Sequence, residues 1–166
     1  MYAIRPAIAR DLPLLPAIEL AAAAQFRQSL YPHMAEAPLA SAHIDLASDL
    51  VWVAHLGDEL VAFIIIRMHA AAAHIQEIDV HPQFARQGIG AALIRAVCAS
   101  SREQGIHFVT LTTFDNVPWN APYYARLGFS FLPPVAWTDA LKAVRRAEEQ
   151  AGLDMDHRVC MQLRLE

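Results

Sequence analysis

Residues 50–70, LVWVAHLGDELVAFIIIRMHA, limit the possible folds more than any other stretch of the chain. Two runs rich in Val, Ile, Leu and Phe flank Gly57-Asp58. Such residues favour strands, and a Gly-Asp pair between them signals a tight hairpin. The near-continuous apolar run Leu60 to Ile66 is far too short to cross a bilayer. A further strand, AHIQEIDVH, follows directly, so three consecutive antiparallel strands are expected. In it Glu77 and Asp79 fall on one side if the strand is regular.

The remaining elements alternate around this set. Tyr2 to Ala7 reads as a first strand. Residues 10–30 read as a helix, with Leu14, Leu15, Ile18, Ala22 and Phe26 near helical spacing and Asp11 as its N-cap. Pro32 and Pro38 mark a loop, and a short helix is expected from Leu39 to Ala47. Past the hairpin strands, a helix is expected from Gly88 to Gln104. Its buried face would carry Ile89, Leu93, Ala96, Val97 and Ser100, and Gly105 would close it. HFVTLTTF is a strand. Pro122 must lie in the first turn of the next helix, which Gly128 ends. Trp119 and Tyr123 are expected in the core. FSFL, a helix from Asp139 to Ala151 and a strand from Arg158 to Leu165 complete the chain. The expected fold is α/β, a mixed and mostly antiparallel central sheet flanked by helices, in one domain over residues 1–166.

Hydrophobic residues make up 55% of the chain and charged residues 18%, which suits a folded protein with a real core. A formal net charge of -4 argues against nucleic acid as a partner. No apolar signal-peptide core follows Met1, so a cytoplasmic protein without a membrane partner is expected. Cys98 and Cys160 match no metal or redox spacing and read as buried thiols. His69, His74, His81 and His107 lack a metal-ligand pattern, so no metal is expected.

The segment VHPQFARQGIGAALI, Val80 to Ile94, joins a strand to a helix through Gly88 and Gly90. A helix start leaves unpaired N–H groups with partial positive charge, which suits a phosphate. Without a Cβ, an anion can approach the backbone closely. Residues Arg86 to Ala91 are therefore a candidate pyrophosphate cradle. No P-loop pattern is present, and a dinucleotide fingerprint would need glycine where Leu93 stands. A tight turn that only packs the helix on the sheet is the alternative. In NVPWNAPYYARLGF, Asn120 and Tyr124 lie four apart and share a helical face.

Together, Ala85-Arg86-Gln87-Gly88-Ile89-Gly90 and the Tyr124 of YARLGF resemble the GNAT superfamily of acyl-CoA-dependent N-acetyltransferases. The first position of the family's loop, usually Gln or Arg, is Ala85 here, with Arg86 adjacent. The resemblance implies acetyl transfer from acetyl-CoA to a primary amine. It implies Glu77 as the base, with Asp79 second. It implies the Val80 N–H as oxyanion donor and Tyr124 as proton donor to the leaving thiolate. Cofactor contacts would come from Ile78, Val80, Arg86, Gln87, Gly88, Ile89, Gly90, Ala91, Asn120 and Tyr124. Asn120 could equally cap its helix. The pantetheine arm would lie like an added strand between residues 75–81 and 107–113. Phe26, Arg27, Tyr31, His33 and Glu36 occupy the region that shapes the acceptor site in the family. Trp52 and Trp137 suit either a pocket or the core. A small-molecule amine is the expected acceptor, in a monomer or homodimer. Acetylation of a protein or peptide amine, and a non-catalytic acyl-CoA binding module, are the alternatives; an NAD-binding protein is a third.

Overall fold

The computed structural model describes residues 1–166. Its strands are β1 (Tyr2–Pro6), β2 (Leu50–Leu56), β3 (Glu59–His69), β4 (Ala72–Val80), β5 (Phe108–Phe114), β6 (Ser130–Phe131) and β7 (Arg158–Arg164). Its helices are α1 (Leu15–Ala23), α2 (Ile89–Glu103), α3 (Ala121–Arg126) and α4 (Asp139–Gln150). The strands form one sheet in the order β1-β2-β3-β4-β5-β7-β6. Pairing is antiparallel for β1 with β2, β2 with β3, β5 with β7 and β6 with β7, and parallel for β4 with β5. The mixed, mostly antiparallel sheet with flanking helices is the architecture that the strand and helix periods imply.

The chain condenses into two compact units. One comprises Met1–Arg67 and Ile75–Gln104, the other Met68–His74 and Gly105–Glu166. The first unit is built on the β2–β3 hairpin. Gly57 turns it at φ +62°, a left-handed conformation that glycine adopts without penalty. Alternate residues of the two strands, Val51 and Val53 against Ile65 and Phe63, point to one face and bury Leu15 and Ile18 of α1 there. α2 buries Ile89, Leu93 and Val97 as expected, and adds Ile94, Cys98 and Ser101 where Ala96 and Ser100 were expected. Ile94 and Cys98 bring larger apolar side chains to the contact than Ala96 and Ser100 would.

The helix expected over residues 10–30 is shorter. 3-10 turns at Leu12–Leu14 and Ala24–Gln28 bracket α1. Pro13 and Pro16 each lack an N–H, so a continuous ladder cannot run through them. Asp11 precedes the first of these turns, but its side chain caps nothing. It forms a two-pronged ion pair with Arg5, at 2.7 and 3.0 Å, and accepts the Ile8 N–H at 2.8 Å. The Arg5 guanidinium accordingly holds the Asp11 carboxyl below its ordinary range. Residues 32–36 form a 3-10 turn rather than a plain loop, and the helix expected over 39–47 is only a turn at Ala40–His43.

In the second unit β7 lies between β5 and β6, and pairs with β5 along seven residues from Phe108↔Arg164 to Phe114↔Arg158. The first residues of β4, Ala72 to His74, run parallel to Phe108 to Thr110. α4 starts at Thr138, whose hydroxyl accepts the Leu141 N–H at 3.3 Å. From α4, Glu148 meets the Thr112 hydroxyl, Arg158 at 2.9 Å and Arg145 at 3.3 Å. Pro122 sits in the first turn of α3, as the proline requires. Trp119 and Tyr123 are only half-buried, contrary to expectation. A helix of six residues has little inner surface, and the small Ala121 fills it, with Val117 and Phe129 buried nearby in sequence. Cys98 and Cys160 are buried free thiols, and burial pushes Cys160 up to about 11. No helix is long and apolar enough to cross a membrane.

Candidate active site

The first unit carries the strand–loop–helix segment that the glycines announce. β4 ends at Val80. A 3-10 turn follows at Pro82–Phe84, opened by His81, whose Nδ1 accepts the Gln83 N–H at 3.3 Å. Arg86 then stands at φ +61° and Gly88 at φ +78°. Two left-handed residues in three turn the chain sharply into α2. Gly88 is the N-cap, and the first helical bond runs from the Ala92 N–H to the Gly88 carbonyl at 3.0 Å. The amides of Gly88, Ile89, Gly90 and Ala91 therefore precede the ladder and have no intrahelical acceptor. Nothing lies within 4 Å of where a Cβ on Gly88 would stand, so the backbone is open on that side. Arg86, Gln87 and Gly88 are exposed. Ile89, in contrast, is core at 2% exposure, so only its N–H remains for a ligand.

β4 carries Glu77, Ile78, Asp79 and Val80, all half-buried. Glu77 and Asp79 share a side, as strand alternation demands. Their carboxyl groups meet a third. Glu19 of α1 is buried at 6% exposure, and carboxyl oxygens of Glu19, Glu77 and Asp79 lie within 4.8 Å of one another. Glu19 Oε1 accepts the Ala40 N–H at 2.7 Å and Oε2 the Ser41 N–H at 2.8 Å. Asp79 keeps some exposed surface as a residue, yet its carboxyl lies deep, and Oδ2 is buried without a hydrogen-bond partner. Burial first, then the charges of Glu77 and Glu19, push the Asp79 carboxyl well above the ordinary carboxylate range. Three acids in one place can hold a proton or receive a cation.

Glu19 is the residue that sequence reasoning missed. Its signal was present: Leu15, Ile18, Glu19 and Ala22 form the buried stripe of α1, and a lone acid on such a stripe needs partners. Tyr31 is core, and Arg27 pairs with Glu36 on the surface at 3.3 Å.

In the second unit, Asn120 is the N-cap residue of α3, but its side chain makes no capping bond. Its carbonyl accepts the N–H groups of Tyr123 at 2.8 Å and Tyr124 at 3.1 Å. The Tyr124 ring is held edge-on by Tyr123, 5.3 Å away, and Phe129, 5.8 Å away.

Comparison with known proteins agrees with this fold. Residues 17–129 match the model of the Acetyltransferase (GNAT) family. A glucosamine 6-phosphate N-acetyltransferase of Trypanosoma brucei brucei is 37% identical over 59 residues, which cover 36% of this chain and 38% of that enzyme. The match thus spans well under half of that relative. Among solved structures, the PaiA N-acetyltransferase of Thermoplasma acidophilum, in complex with coenzyme A, superposes with a TM-score of 0.73 at 16% identity, covering 99% of both chains. The ribosomal-protein-S18-alanine N-acetyltransferase of Escherichia coli gives 0.69 at 20% identity, covering 100% of this chain and 95% of that one. At those identities the structures speak for the fold, and the family match over more than half the chain for kinship. The chain belongs to the GNAT family of acetyltransferases.

Proposed function

We propose that this chain, acting as one domain, moves an acetyl group from acetyl-CoA to the primary amine of a small molecule. The observation that carries the reading is the open, left-handed turn at Arg86–Gly88, which presents four unladdered amides directly after the acid-bearing strand β4. The N–H groups of Gly88, Ile89, Gly90 and Ala91, with Arg86 and Gln87, bind the pyrophosphate of acetyl-CoA. Backbone groups of Ile78 and Val80 take the amides of the pantetheine arm. Asn120 adds a hydrogen bond to the cofactor.

The chemistry follows from these assignments. Glu77 removes a proton from the acceptor's ammonium, which frees the nitrogen lone pair. The nitrogen attacks the acetyl carbonyl carbon, and the Val80 N–H stabilises the oxyanion, a contribution typically worth ~2.7–4 kcal/mol. The C–S bond breaks as the carbonyl re-forms. Tyr124 donates a proton to the departing thiolate and recovers one from the nitrogen as the amide forms. The small-molecule acceptor is favoured by the relative named for glucosamine 6-phosphate.

Thermal unfolding with acetyl-CoA, CoA or NAD tests the reading. A ligand at a hundred times its dissociation constant adds roughly 2.7 kcal/mol to stability. The expected result is a shift with both CoA species and none with NAD. No shift with either CoA species would overturn it. A panel of primary amines and peptides, read by thiol release, then separates a small-molecule acceptor from a peptide one.

A further inference from the structure

The acid cluster has an arrangement that an empty protein does not need. Three carboxyl groups crowd within 4.8 Å. Glu19 is pinned there by two backbone N–H groups. The buried Asp79 Oδ2 is left without a partner, which is costly unless something completes it. A cation of the right size does so. Charge-assisted N–H···O bonds are about 2.8 Å long, so three oxygens on the tetrahedral directions of an ammonium stand about 4.6 Å apart. Oxygens within 4.8 Å of one another can take an ammonium or a metal ion, and the reading of the chain as an amine acetyltransferase favours the ammonium.

We propose that Glu19, Glu77 and Asp79 form the seat of the acceptor's primary ammonium, with Glu19 and Asp79 as its anionic partners and Glu77 as the base that takes its proton. This rests on the reading of the chain as an amine acetyltransferase and narrows it. The acceptor is an organic cation, such as an amino sugar or polyamine, whose amine has no carboxylate beside it. An α-amino acid would bring its own negative charge against three acids. Glu19 becomes a specificity-determining residue, supplied by α1.

The seat also couples binding to a proton. The groups facing Asp79 are Glu77 on its own strand and Glu19 on α1, and with burial they strengthen its hold on a proton in the empty site. An arriving ammonium reverses the local field. Asp79 then releases its proton to solvent and pairs as carboxylate with the ammonium, with one proton lost for each cation bound.

Carbon-detected NMR of the Asp79 carboxyl, assigned by its loss in Asp79→Asn, reads this directly. The protein is titrated in ethylammonium chloride, sodium chloride and magnesium chloride at equal ionic strength. Ethylammonium should lower the Asp79 midpoint by about one unit or more relative to sodium, a tenfold change in proton affinity. The shift should shrink in Glu19→Gln. Equal midpoints in ethylammonium and sodium would overturn the seat, and a larger shift with magnesium would replace it with a metal site. Should Glu19→Gln fail to fold, calorimetry in buffers of different ionisation enthalpy gives the same answer. Ethylammonium should release a proton from the wild type and none from Asp79→Asn, and equal release would overturn the seat. Thermal unfolding with acetyl-CoA on the same samples separates the two ideas. A retained acetyl-CoA shift beside an unmoved Asp79 sinks the seat alone.

Discussion

Two clusters of buried carboxyl chemistry sit in this protein, one in each unit, and they are built oppositely. In the second unit Glu148 faces two guanidiniums, Arg145 and Arg158, and the Thr112 hydroxyl. Those guanidiniums in turn lie over aromatic rings, Arg145 over Trp137 at 5.2 Å and Arg158 over Phe114 at 4.8 Å. In the first unit Asp79 faces two more acids and keeps a buried oxygen unpaired. The first arrangement sets two guanidiniums against one carboxylate, although Arg145 Nε is buried without a hydrogen-bond partner. The second sets an acid among acids, with Asp79 Oδ2 buried and unpartnered. Burial of an acid is therefore no sign of function by itself. The sign is burial among like charges.

The largest effect that would break this contrast is in the second unit. Glu148→Gln strands Arg145 and Arg158, each under a fifth exposed, beside a neutral amide. Losing one partner of a buried pair should cost about 3 kcal/mol in chemical denaturation. Turnover below the new melting point should stay near wild type. A stable Glu148→Gln protein would show that the network is incidental.

Tyr124→Phe sharpens the contrast from within the same unit. It should lower kcat on the order of 100-fold, the lower end for a lost acid catalyst, while acetyl-CoA affinity by fluorescence stays within about twofold. A large affinity loss with normal turnover would make Tyr124 a packing residue.

Asp79→Asn should act in the opposite sense to Glu148→Gln and stabilise the protein above the ordinary carboxylate range. There the folded Asp79 holds its proton more tightly than the unfolded chain does. Between the ordinary carboxylate range and the raised folded value, the native state binds more protons, so wild-type stability falls as pH rises. Melting temperatures from pH 4 to 8 should show that fall in wild type and a weaker one in Asp79→Asn. Parallel curves would contradict the protonated state.

The smallest effect is at the cradle. Gly88→Ala places a side chain at φ +78° and should cost about 1 kcal/mol in stability, together with weaker acetyl-CoA binding. Unchanged binding would remove the loop from the cofactor site.

The parts of the fold visible in sequence are those with a local cause. The β2–β3 hairpin announces itself through Gly57 and its flanking apolar runs, and α3 through Pro122 and Gly128. The turn before α2 shows in its glycines. What stayed hidden depends on contacts between distant residues. Asp11 looks like a helix cap until Arg5 claims it. Glu19 looks like an ordinary helix acid until α1 turns it inward beside β4. Glu77 and Asp79 could be placed on one side by strand period alone, but their third partner lies 58 residues from Glu77 in sequence, and no pattern links them.

The measurement that tests the account most directly is the rate of CoA thiol release by Glu77→Gln beside Glu148→Gln, with saturating acetyl-CoA and the best primary amine from the panel. Both proteins are assayed below their melting temperatures and across pH 5 to 9. The account predicts a loss of about 100-fold or more for Glu77→Gln, with a flattened acidic limb, and a near-normal rate for Glu148→Gln. A wild-type rate and pH profile in Glu77→Gln would contradict it, and Glu77 would then have no part in the transfer.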